Sequence, residues 1–134
     1  MKIEYFSDGA IDCPLILIYG DDPTGAKNLR NAVEDLANGL IARLAIHDFP
    51  GYLSVGDCKL FAKVGRDDIG ISRIGKEPTF ECTLQKDTWL EVVDLLEPFL
   101  KPFTDIQNLG STSAFQYLTN CYGINMLIST ERAW

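Results

Sequence analysis

Hydrophobic and polar positions change period several times along the chain, and each change marks an element. Through 79–85, Phe80, Cys82 and Leu84 alternate with Thr79, Glu81, Thr83 and Gln85. A period of two belongs to a strand with one buried face. After Lys86 the period lengthens: Trp89, Val92, Val93 and Leu96 recur at spacings of three and four. That spacing predicts a helix over about 88–100 with one apolar stripe, widened by Leu95, Phe99 and Leu100. Thr88 followed by Glu91 reads as a capping box at its start. Pro98, which lacks an N–H, reads as its stop or kink.

The same switch occurs earlier. A short strand at 3–6 precedes the turn-rich 7–12, and the nearly continuous apolar run PLILIY at 14–19 predicts an inner strand. Asp22 then reads as an N-cap with Pro23 at the first helical position. Ala26, Leu29, Val33, Leu36 and Ala37 give the buried stripe of a helix over about 22–38, and Gly39 its C-terminal stop. Leu40, Ala42, Leu44 and Ile46 predict a strand over 40–47. Further strands are predicted at 58–64, with Cys58, Leu60, Ala62 and Val64 inward, and at 69–74. A closing hairpin is predicted from 114–119 and 124–130. The order is ββαββββαββ. It predicts a single compact α+β domain over 1–134, with a mainly antiparallel sheet of about 6–8 strands and both helices on one face.

Composition changes this picture little. The 134 residues suit one domain, and a chain of this size buries enough surface to fold without a metal or disulfide. No segment approaches the run of about 20 apolar residues that spans a membrane, and Glu4, Ser7 and Asp8 interrupt any signal core. A cytoplasmic location is therefore expected. The net charge of −7 argues against nucleic acid, which needs a basic footprint, and is compatible with a basic protein partner. Cys13, Cys58, Cys82 and Cys121 contain no CxxC pair, so reduced structural thiols are expected rather than a zinc site.

Candidate chemistry is sparse. GDDPTGAKN at 20–28 follows a strand and opens a helix, the context of a phosphate loop. Ala26 takes the lysine position and Asn28 that of the magnesium-binding hydroxyl, while Asp21 and Asp22 repel a triphosphate. A helix capped by Asp22 is the expected outcome. His47, the single histidine, rules out a multi-histidine site and leaves only a Cys–His pair made by folding. The turn pairs Asp21–Asp22 and Asp67–Asp68 lack the ligand spacing of an EF-hand and read as local backbone acceptors. Trp89 reads as core, and Trp134 as the last residue of the closing strand. No cofactor, metal ligand set or catalytic residue is assigned.

The size, acidity and sheet-plus-two-helices layout resemble those of many small bacterial proteins, including immunity proteins that neutralise secreted toxins. No motif carries the likeness, and it transfers no functional residue. The expected function is a non-enzymatic protein-interaction domain that self-associates. An immunity-type inhibitor of a basic toxin is one alternative. A small-molecule-binding or enzymatic domain, with its site in loops such as 48–57 and 104–113, is another. The expected contact surface is the sheet face left open by the helices. It carries Lys59, Phe61 and Lys63, then Thr79, Glu81, Thr83 and Gln85, joined by Ser72, Ile74, Asn125 and Leu127. Phe61, Ile74 and Leu127 are its expected apolar centre, with Lys59, Lys63 and Glu81 as the rim of a homodimer contact.

Overall fold

The computed structural model describes residues 1–102, 114–119 and 123–134. The loop expected at 104–113 and Cys121 lie outside the described residues. Nine strands and two helices are described, in the order β1 (Lys2–Phe6), β2 (Leu15–Tyr19), α1 (Pro23–Ala37), β3 (Leu44–Ala45), β4 (Leu53–Ser54), β5 (Lys59–Val64), β6 (Gly70–Arg73), β7 (Thr79–Leu84), α2 (Lys86–Leu96), β8 (Phe115–Thr119) and β9 (Asn125–Ser129). The fold is α+β with two mixed sheets. One has five strands in the order β4-β1-β2-β9-β8, and the other four in the order β3-β5-β7-β6.

Two sheets replace the single expected one because the central pairings are not between sequence neighbours. β2 lies parallel to β9, pairing Leu15 with Asn125, and β5 lies parallel to β7, pairing Phe61 with Glu81. The hairpin partners β1–β2, β6–β7 and β8–β9 remain antiparallel, as short turns require. α1 carries the chain from the five-stranded sheet to the four-stranded one, and α2 carries it back.

One core joins all these elements. Ile16, Ile18 and Ile128 of the first sheet, Leu60, Phe80 and Leu84 of the second, and Leu29, Val33, Trp89, Val92 and Leu96 of the helices belong to a single buried cluster. Trp89 is fully buried, and its indole N–H donates to the Lys63 carbonyl at 2.9 Å. A second cluster lies on the outer face of the five-stranded sheet. Leu15, Leu17, Tyr19 and Leu127 are buried there, with Phe6, Cys13, Tyr117 and Trp134 packed against them.

Local signals explain most boundaries. Asp22 caps α1, accepting from the Gly25 N–H at 2.9 Å, with Pro23 at the first position. Gly39 follows the helix at φ +77°, a conformation that favours glycine. Two expectations change. The strand over 40–47 shrinks to Leu44–Ala45, leaving Leu40 72% exposed and Ile46 buried in a 3-10 turn, Ile46–Asp48. α2 begins at Lys86 rather than Thr88, so Thr88 is no N-cap. Its cap comes from a distant turn: Asp68 accepts from the Gln85 N–H and the Thr88 hydroxyl, each at 2.8 Å. Pro98 stops the α-helix as expected: after Leu96 it tightens into the 3-10 turn Glu97–Leu100.

Candidate functional site

The outer face of the four-stranded sheet is built by alternation. On β5, Leu60 and Ala62 point into the core, so Lys59, Phe61 and Lys63 point away from it. The parallel register sets Lys59 opposite Thr79 and Phe61 opposite Glu81, and β6 adds Ser72 opposite Glu81. β3 brings Arg43 to the same face, with its guanidinium 3.7 Å above the Phe61 ring. The edge of that ring meets the His47 imidazole, with centroids 4.9 Å apart. Phe61 is thereby half-buried between a cation and a histidine.

The charges on this face are mutually placed. Glu81 receives Lys63 at 2.9 Å and Arg43 at 3.7 Å. Lys59 is exposed at the end of the face and has no ion-pair partner among the described residues. Arg43 was not singled out by the sequence, although its alternation with Ala42 and Leu44 carried the signal.

The expected apolar centre does not assemble. Phe61 belongs to this face. Ile74 is 42% exposed just beyond β6, where its N–H donates to the Thr79 carbonyl, so β7 separates it from Phe61. Leu127 is fully buried in the other sheet, against Leu15 and Leu17. Its neighbours Met126 and Ile128 also lie in the core, and such a run of apolar residues is buried on both faces. Asn125, on β9, is likewise remote from this face, and its amide donates to the Asp12 carbonyl. Thr83 is buried because Gly65 lies over it, so close that a Cβ there would meet Thr83 Cγ2 at 2.5 Å.

A concave feature lies on the helix side of the molecule. A cleft of about 470 Å³ is lined by Asp68, Thr88, Glu91, Leu95, Tyr117, Leu118 and Thr119. Asp68 holds its position by capping α2, and the Tyr117 hydroxyl donates to Asp12. Beside the cleft, Asp87, Glu91 and Asp94 are exposed on one stripe of α2.

The other sequence candidates serve structure. His47 Nδ1 accepts from the Leu60 N–H at 3.0 Å, and its Nε2 lies 3.6 Å from Asp48. Asp22 is committed to Gly25 and to the chain's amino group at 3.2 Å, and the Gly25 N–H is the main cause holding its carboxyl below the ordinary value. Gly25 is required by that cap, since a Cβ would fall 2.5 Å from Asp22 Oδ2. The loop 20–28 is thus a capped helix start rather than a phosphate cradle. Burial pushes the Cys58 thiol up to about 12, which leaves it protonated and unreactive. Among the described residues, no group of three or more His, Cys, Asp or Glu side chains is placed to hold a metal ion, and no helix is long and apolar enough to cross a membrane. Compared with protein-family models, with curated proteins and with solved structures, the chain has no match.

Proposed function

We propose that the protein is a non-enzymatic interaction domain that associates with itself through the outer face of the four-stranded sheet. The observation that carries this reading is the half-buried Phe61, set between Arg43 and His47 on a face that no helix covers among the described residues, and framed by Lys59, Lys63 and Glu81. An aromatic residue ringed by charged side chains is the usual anatomy of a contact centre and its rim. Buried Cys58 is a free thiol, which supports a reducing, cytoplasmic setting.

The test is molar mass in solution, measured by light scattering over a wide concentration range. The native chain is expected to rise above the 14.9 kDa protomer, and Phe61→Glu to remain a folded protomer. A native chain that stays monomeric throughout removes the self-association.

A second reading, an immunity-type inhibitor of a basic toxin, is supported by the stripe of Asp87, Glu91 and Asp94 beside the cleft. Its test is inhibition of a basic toxin encoded next to this chain, with Glu91→Lys expected to weaken the complex. Equal inhibition by the variant removes the acidic stripe as the contact.

A further inference from the structure

We infer that the surface receiving the four-stranded sheet's outer face is the acidic side of α2 on a second copy, so that copies join head to tail. This rests on the self-association proposed above and adds the receiving surface. The outer face carries Arg43, Lys59 and Lys63 against the single carboxylate of Glu81, so it is locally cationic on a chain of net charge −7. Two such faces brought together about a two-fold axis would confront like charges. A carboxylate surface is the complementary one, and α2 presents it.

Asp87, Glu91 and Asp94 recur at spacings of four and three on the exposed side of α2. Like charges at those spacings weaken an isolated helix. None of the three forms an ion pair among the described residues. Asp87 sits in the first turn of α2, where the helix dipole favours a carboxylate, and Asp94 acts on the Arg30 guanidinium of α1, whereas Glu91, at the cleft, has neither compensation among the described residues. The cleft beside this stripe adds shape. Leu95 and Leu118 offer apolar wall to a methylene stem, and the carboxylates of Asp68 and Glu91 offer charge to an ammonium head. Lys59 suits it, being exposed and unpaired where Lys63 is already held by Glu81. Lys59 of one copy enters the cleft of the next. Each copy then uses one face and one cleft, a heterologous contact that continues into a chain or a ring.

The test uses Lys59→Glu and Glu91→Lys in the full chain, both at exposed positions and both checked for fold by circular dichroism. The native protein is expected to grow past a dimer with concentration, and each variant alone to associate about tenfold more weakly or less. Their equimolar mixture pairs an intact face with an intact cleft and a reversed face with a reversed cleft, opposite charges in both contacts, so it is expected to associate more strongly than either variant alone. A native protein that halts at a dimer, with a mixture no more associated than either variant, overturns the head-to-tail contact and leaves self-association standing. A native protein that is monomeric at every concentration overturns both. A monomer that binds oligolysine, and loses that binding on Glu91→Lys, assigns the cleft to a basic partner and overturns the assembly.

Discussion

The five-stranded sheet turns Leu15, Leu17, Tyr19 and Leu127 away from the helices and buries them nevertheless; the four-stranded sheet turns Lys59, Phe61, Lys63 and Glu81 away and leaves them at the surface. The difference lies in what else reaches each face. Over the first lie Phe6, Cys13, Tyr117 and Trp134, with Trp134 meeting Phe6 at 5.2 Å. The segment that brings Trp134 there is fixed by polar contacts: the Ser129 hydroxyl donates to the Ala133 carbonyl at 2.7 Å, and Arg132 makes a two-pronged contact with Glu4 at 3.0 and 2.8 Å. Over the second, among the described residues, lie its own side chains, with the Arg43 guanidinium on Phe61. One outer face is therefore part of the stability of the molecule, and the other contributes little to the core.

Charge reversal tests that contrast most severely. Leu127→Glu, which buries an unpaired carboxylate, is expected to unfold the protein or lower its stability by more than about 4 kcal/mol in urea denaturation. Phe61→Glu is expected to keep the fold, and a comparable loss there would show the second face to be core. At the interior reference, Leu96→Ala is expected to cost about 2–5 kcal/mol by opening a cavity beneath α2. If it costs under about 0.5 kcal/mol, the packing of that helix is not as described.

Acid sharpens the comparison. The Glu4 carboxyl lies below its ordinary value of 4.5, chiefly through its hydrogen bonds from Arg132, with burial opposing and Tyr19 assisting. A carboxyl depressed in the fold contributes stability that is present above its unfolded value and lost as pH falls through the folded one. Melting temperature measured from neutral pH downward is expected to fall less steeply below the ordinary carboxylate value in Glu4→Gln than in the native chain. Parallel curves would mean that the Arg132 contact adds nothing to the covered face. The smallest expected effect is none: Cys13 and Cys58 are free thiols, so reducing agent is expected to leave the melting temperature unchanged. A drop of many degrees would reveal a bridge, since disulfides contribute about 2–4 kcal/mol.

Local signals in the sequence were legible where a residue's neighbours along the chain decide its structure. The cap at Asp22, the stripe from Trp89 to Leu96 and the alternation on β7 and on β5, apart from Val64, expected inward but exposed at the strand's end, are of this kind. What escaped was decided by distant partners. Nothing near Leu127 tells that β9 lies beside β2, although Met126, Leu127 and Ile128 form the same unbroken apolar run as Leu15 to Tyr19. The start of α2 is another case, since the carboxylate that caps it comes from Asp68, across the Gly65 turn. Of the expected contact surface, Phe61, Lys63 and Glu81 are brought together with Arg43, Lys59 stands at the end of the face, and Leu127 is lost to the core.

The pairing of β2 with β9 also sets a timetable for folding. Leu15 to Tyr19 leave the ribosome well before Asn125–Ser129, one of their two neighbouring strands. Until that strand leaves the ribosome, β2 offers an unsatisfied edge and a wholly apolar sequence, a combination that invites misassociation. β7 must likewise be present before β5 and β6 have a shared neighbour. Closing such long loops before the contacts that reward them slows the search. The nascent chain is therefore expected to depend on chaperones more than its modest size suggests.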